Sequence, residues 1–200
     1  MTYLSKEFTD WLEANTEAID QETGGAADEL LTRIAAEGVF KIGLSPELGG
    51  SGGEYQDVID ALSELASYSL SAAFIAWGQR TFIENIIASE NSYLRETWLS
   101  DLLTGKLAAG TGLSNAVKYF SDIEELNVKI VEKNGKLYLR GRLPWVTNIR
   151  SDNFIAVFAA GYEKENKTSI ILAVPQTAGV ELSDYRIYRP KWRQYSCLNL

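Results

Sequence analysis

The sequence predicts an α+β protein: an amino-terminal all-helical bundle followed by an antiparallel β-barrel-like domain that is incomplete at its end. Three observations point there. Apolar residues recur at steps of three, four and seven up to Gly105 and at steps of two beyond it. The charge changes sign at the same place: residues 1–105 hold 5 Lys and Arg against 18 Asp and Glu, net −13, and residues 106–200 hold 14 against 9, net +5. Asn134-Gly135, flanked by alternating residues, is a strong hairpin signal, because both turn positions need positive φ. The domains expected are therefore 1–105, helical, and 106–200, β, segregated as in an α+β protein.

Leu4, Phe8, Trp11, Leu12 and Ile19 share one face of a first helix, and Leu30, Leu31, Ile34, Ala35 and Val39 one face of a second that stops at Gly38. "SPELGGSGGEY" is too rich in glycine to be anything but a loop. From Tyr55 a third helix buries Val58, Ile59, Leu62 and Leu65. "SLSAAFIAWGQRTFIENIIA" is apolar nearly all round, as the central helix of a bundle is, and a shorter helix ends at Gly105. "LNVKIVEKNGKLYLRG" reads as a hairpin, the compact apolar runs "FIAVFAAG" and "SIILAVP" as strands, and "GVELSDYRIY" as one more. "RPKWRQYSCLNL" alternates without a closing turn, so the sheet is expected to leave an unpaired edge with more polypeptide following Leu200.

The composition excludes several chemistries. With no histidine, the chain holds no Ser-His or Cys-His nucleophile, no histidine metal ligand and no histidine base. A single cysteine, Cys197, excludes an internal disulfide and a cysteine-rich metal cluster. Neither a secretory signal nor a long apolar span is present, which predicts a cytoplasmic protein with no membrane partner, and the acidic total argues against nucleic acid.

"ELGGSGGE" lacks the Gly-Lys-Ser/Thr of a phosphate loop, and "GTGLSNA" lacks the third glycine of a dinucleotide site. Glu84, between Ile83 and Ile86, is either a desolvated base or the surface partner of Arg80 four residues earlier. Pro144 argues against central strand for "GRLPWVTNIRSDNF", which is expected to be an irregular connection. On an extended segment Trp145 and Thr147 project to one side, filling the core or walling a site for a planar ring; spacing leaves both open.

Several pieces, in order, resemble the acyl-CoA dehydrogenases and their flavin-dependent relatives. "GLSPELGGSGGEYQDVIDALSELASYSLSAAFIAWGQ" is similar to the family's Pro-x-x-x-Gly-Gly loop and the helices after it. "LLTGKLAAGTGLSNAVKYFSD" is similar to the entry to its Leu-Thr-Glu-Pro-Gly-Ala-Gly-Ser-Asp segment, and "NGKLYLRGRLPWVTNIRSDNFIAVFA" to its Trp-Ile-Thr-Asn segment. "ILAVPQTAGVEL" and "PKWRQYSCL" resemble the family's next strand and its Leu-Gly-x-Arg-Gly-Ser-type continuation. The spacing from Asp122 to Asn148 matches without a gap, and the resemblance covers the helical domain and most of the middle β domain but no carboxyl-terminal helical domain.

The resemblance implies FAD as cofactor. It places Leu113 and Ser114 at the pyrimidine edge and Trp145, Val146 and Thr147 against the isoalloxazine, with Ser121 toward the acyl-CoA substrate. Gln79 stands where many members have histidine, Leu143-Pro144 replace a frequent Lys-x pair, and "SNAVKYFSD" has one extra residue and lacks Glu, Pro and both glycines. The family's glutamate base lies in the absent domain, so no catalytic residue and no metal site are assigned here. The activity implied is FAD-dependent α,β-dehydrogenation of an acyl thioester in fatty acid metabolism. A homo-oligomer is expected, as is a domain or second chain supplying the missing carboxyl-terminal half. A flavin monooxygenase of the same fold and a non-catalytic interaction module are the alternatives.

Overall fold

A computed structural model of the chain describes residues 2–21, 25–150, 152–163, 169–184 and 195–199. The chain divides into two compact units, Met1–Ala108 and Ala109–Leu200.

The first unit holds five helices: α1 (Lys6–Gln21), α2 (Ala26–Ala36), α3 (Tyr55–Tyr68), α4 (Leu70–Ala88) and α5 (Ser92–Leu103). α4 packs against the other four and buries residues around most of its circumference, as its unbroken apolar character predicts. Caps fix the starts. The Ser69 hydroxyl accepts from Ala72 N at 3.2 Å at the head of α4, and the Asn91 side chain accepts from Tyr93 N at 3.2 Å at the head of α5. Asp57 accepts from Glu54 N at 2.7 Å at the head of α3.

Three expectations change in this unit. Val58, Ala61 and Leu65 form the buried stripe of α3, leaving Ile59 43% exposed and Leu62 half-buried, because the small Ala61 lies on the inward arc and Ile59 one position off it. Trp11 is half-buried, stacked on Phe8 with ring centroids 6.0 Å apart, and the Arg33 guanidinium lies 4.4 Å from its ring centroid. The glycine-rich stretch is more than loop: Pro46–Leu48 forms a 3-10 turn, and Ile42 bridges to Gly52. Glu84 is the surface partner, not a desolvated base. Arg80 donates to it from Nε at 2.9 Å and Nη2 at 2.6 Å, while Nη1 donates to the carbonyls of Phe40 and Ile42. No helix among the described residues is long and apolar enough to cross a membrane.

The second unit is a mixed sheet that is not a closed barrel, with strands β1 (Ala108–Thr111), β2 (Val128–Lys133), β3 (Lys136–Thr147), β4 (Phe154–Tyr162), β5 (Ser169–Pro175), β6 (Glu181–Asp184) and β7 (Tyr195–Asn199), and a short helix α6 (Ser114–Phe120). The order is β1-β4-β2-β3-β7-β6, with β5 on β4 and one further pairing of β1 with β3. Antiparallel pairing dominates as expected, but β2 and β4 run parallel. β2 and β3 form the hairpin, with Asn134 and Gly135 at φ 55° and 71°. β4 is buried throughout to Gly161, which is why its sequence is an unbroken apolar run. β7 lies between β3 and β6 in the strand order, and residues 185–194 lie outside the described residues. Neither β1 nor α6 is marked by periodicity, β1 because four residues are too few.

Pro144 does not remove its segment from the sheet. β3 runs continuously through it, paired with β7 at Arg142↔Asn199, Leu143↔Leu198, Val146↔Ser196 and Thr147↔Tyr195, with a register shift between Leu143 and Val146. The missing donor falls inside this bulge, where the ladder is interrupted anyway.

Candidate functional site

The predicted cofactor residues sit on two pieces of backbone in the second unit. One is the turn from β1 into α6, Gly112-Leu113-Ser114; Gly112 N donates to Val157 O at 2.8 Å, and the Leu113 carbonyl accepts from Val117 N at 2.9 Å as the helix begins. The other is the end of β3, Trp145-Val146-Thr147. The pairing Thr111↔Thr147 joins them, so Leu113 and Ser114 follow two and three residues after a strand position directly opposite Thr147.

The bulge decides what Trp145 presents. Its φ is +64°, a left-handed value that is an outlier for a bulky residue, so the segment is not extended there and Trp145 and Thr147 do not share a side by simple alternation. The results differ accordingly: Trp145 is 37% exposed, Val146 is fully buried and Thr147 is 5% exposed. Backbone strain held at one position is a feature of functional segments.

Asn148, also left-handed at φ 58° and buried, donates from Nδ2 to Ala109 O of β1 at 3.1 Å. Gly110 lies beside it, and a Cβ there would overlap the Ile149 side chain and press on Val146. Neither Asn148 nor Gly110 stands out as a site residue by periodicity; for Asn148 the signals available are the asparagine that closes the Trp-Ile-Thr-Asn resemblance and the tolerance of that residue type for positive φ.

Ser114 is exposed, and Ser121 is exposed at the opposite end of α6. A helix of this length separates them by about 10 Å, so Ser121 does not join the other five. The connection after α6 is fixed by Asn115. Its amide donates to Glu124 Oε1 at 2.7 Å and Glu125 O at 3.0 Å, and its oxygen accepts from Asn127 N at 2.9 Å. The Asn115 amide, with Lys118 at 3.3 Å, holds the Glu124 carboxyl below the usual carboxylate range. Asp122 then takes φ 56°. Among the described residues no group of three His, Cys, Asp or Glu side chains is placed to hold a metal.

Residues 4–106 match the model of the acyl-CoA dehydrogenase, N-terminal domain. The chain belongs to the acyl-CoA dehydrogenase family. The caffeyl-CoA reductase-Etf complex subunit CarC of Acetobacterium woodii is 25% identical over 147 residues, 72% of this chain and 38% of that protein. Methanesulfinate monooxygenase MsuC from Pseudomonas fluorescens shares the fold with a TM-score of 0.71 at 15% identity, covering 98% of this chain and 50% of that one. PigA, solved with FAD and proline, does so with a TM-score of 0.68 at 15% identity, covering 100% and 56%. The chain thus spans about two fifths of the curated relative and half of the solved structures. Membership in the acyl-CoA dehydrogenase family fits a helical unit followed by a sheet, and the fold includes monooxygenases.

Two of the residues expected to hold a flavin keep exposed polar or aromatic surface. An isoalloxazine is a planar ring with a hydrogen-bonding edge. Here an indole with exposed surface and an exposed serine hydroxyl stand on two segments joined by a strand pairing. Val146, with no accessible side chain, has only its backbone to offer.

Proposed function

We propose that this chain is the flavin-facing part of an FAD-dependent oxidoreductase of acyl-CoA dehydrogenase type, with residues 1–105 as the helical domain and 106–200 as the flavin-facing β domain. The single observation that carries the reading is the Thr111↔Thr147 pairing, which brings the Leu113-Ser114 turn and the Trp145-Val146-Thr147 bulge to one seam. Leu113, through its backbone, and Ser114, through its hydroxyl, hold the pyrimidine edge; Trp145 lies against the ring system, and Val146 and Thr147 back it. A flavin held there would supply the acceptor for a hydride equivalent from the β-carbon of an acyl thioester. The base that takes the α-proton comes from a carboxyl-terminal domain or a second chain, because the family's glutamate matches no carboxylate here. A cytoplasmic homo-oligomer acting on acyl-CoA in fatty acid metabolism completes the reading.

Titration of the chain with FAD, read by quenching of flavin fluorescence and by the shape of the visible absorption band, tests it. Saturable binding that weakens in Ser114→Ala and Trp145→Ala is expected. Binding with no dependence on either residue would remove the site, and absence of binding would remove the flavin assignment for this chain.

A flavin-dependent monooxygenase is the second reading. It is favoured by the segment Ser114–Asp122, which has neither the Glu-Pro nor the glycines of the dehydrogenase pattern and instead forms α6 with Val117 and Phe120 exposed. Bleaching of the bound flavin by an acyl-CoA supports dehydrogenation; bleaching only by an external reductant, with rapid reoxidation by oxygen, supports the second.

A further inference from the structure

We infer that Asn148 is the positioning residue of the seam from which both halves of the proposed flavin site project; the flavin part of this inference rests on the function proposed above. The register shows what the side chain reaches. With Thr111 opposite Thr147, a continuing antiparallel ladder would set Ile149 opposite Ala109, and a backbone N–H would serve the Ala109 carbonyl. The chain does not continue. β3 ends at Thr147, and Asn148 turns it away with φ 58°. The Asn148 amide takes over, donating to Ala109 O at 3.1 Å in a buried setting, so the carbonyl is served although the strand has left.

The same turn lays Ile149 over Gly110, where no Cβ fits. Asn148 therefore satisfies three demands at once: a left-handed backbone, a buried donor aimed at β1, and a turn tight enough to seat Ile149. Asparagine meets the first two together, and neither glycine nor alanine does. Its place in the chain makes the contact consequential. Trp145, Val146 and Thr147 immediately precede it, and the strand it grips leads in four residues from Ala109 to Leu113. Asn148 directs its amide to β1 and so fixes the spacing between the groups proposed to hold the flavin.

Two variants separate the amide from the backbone. Asn148→Gly keeps the positive φ and deletes the donor, and Asn148→Asp keeps the shape while setting a carboxylate against the Ala109 carbonyl. The readout that needs no ligand is the indole resonance of Trp145, assigned by its loss in Trp145→Phe, together with amide exchange at Thr111 and Gly112. In both variants the indole signal is expected to shift or broaden and these amides to exchange faster, while the signals of residues 4–106 stay in place. FAD affinity in both is expected to fall roughly tenfold, the order of one buried hydrogen bond.

An unchanged Trp145 signal and unchanged exchange in both variants would overturn the inference. So would a loosened seam with FAD bound as tightly as in the parent chain. If the parent chain binds no FAD while the variants still loosen the seam, the flavin assignment falls and the seam role of Asn148 stands.

Discussion

Arg80 is expected to stabilise the helical unit mainly by holding backbone and only secondarily by its ion pair with Glu84. The two halves of that contact are unequal. The Arg80 side chain is 6% exposed and that of Glu84 41%, so the pair meets water on one side and its coulombic worth is reduced toward that of a surface bridge, about 1 kcal/mol or less. The Phe40 and Ile42 carbonyls, by contrast, belong to the turn leading into the glycine-rich stretch, and Phe40 is fully buried. Leaving two such acceptors unpaired costs about 1–3 kcal/mol each. Arg80→Met, which keeps most of the buried stem, is therefore expected to cost about 3 kcal/mol. With a urea slope of about 1.5 kcal/mol per molar, this moves the midpoint down by roughly 2 M. Glu84→Gln, which retains an acceptor, should cost no more than about 1 kcal/mol. Arg80→Lys should fall near the methionine variant, because one ammonium cannot span Glu84 and both carbonyls as a guanidinium fork does. The measurement is urea unfolding followed by the helical circular-dichroism signal. A Glu84→Gln variant as unstable as Arg80→Met would refute this ordering and give the stabilisation to the ion pair.

Two glycines should fail for opposite reasons. Gly110→Ala is expected to destabilise the β unit by about 1–3 kcal/mol through overlap with Ile149 and Val146, measurable as early loss of the sheet signal on denaturation. Gly135→Ala has open space around it but φ 71°, so its cost should be the conformational strain alone, about 1 kcal/mol, in the same measurement. Tyr3 donates its hydroxyl to Asp57 Oδ1 at 2.8 Å, which raises the phenol from 10.0 to about 12, while the Glu54 amide first and the Tyr3 hydroxyl second hold Asp57 below 3.8. The raised phenol contributes stability that is complete below pH 10 and lost as pH rises through about 12. The depressed carboxylate contributes stability that is complete above pH 3.8 and lost as pH falls through its lowered value. The difference in phenolate absorbance between the parent chain and Tyr3→Phe should titrate near 12, and a midpoint near 10 would show the contact absent in solution.

The helical unit was the more legible half, for a physical reason. Each helix carries a stripe of side chains at 3.6-residue spacing, and local caps such as Ser69 and Asn91 mark the ends, so the information is contiguous in sequence. Among its differences from the sequence expectation, one arises where size matters more than hydrophobicity: Ala61 and not Ile59 meets the core. In the β unit, the hairpin and the buried β4 were equally plain because each is local or apolar throughout. The parallel pairing of β2 with β4 was not, since register between distant strands is set by the whole sheet.

The candidate site is expected from residue types alone, and its shape is not legible in them. Pro144 points to an irregular connection and the structure shows a strand, because a missing N–H has two outcomes: a strand that ends and a strand that bulges. Local sequence does not separate them, because the choice depends on β7, some 50 residues later, supplying partners on either side of the gap. Once the bulge forms, alternation no longer says where a side chain points. Trp145 takes φ 64° and keeps exposed surface, while Thr147, two residues on, is buried. Asn148 ends the Trp-Ile-Thr-Asn resemblance, but its contact is not legible, for a related reason. Its side chain donates to a carbonyl 39 residues earlier, at the point where the strand departs. The residues that would touch a flavin can be carried over from a family pattern one at a time, whereas the residues that hold them in place become visible only when the backbone's hydrogen bonds are followed to their partners.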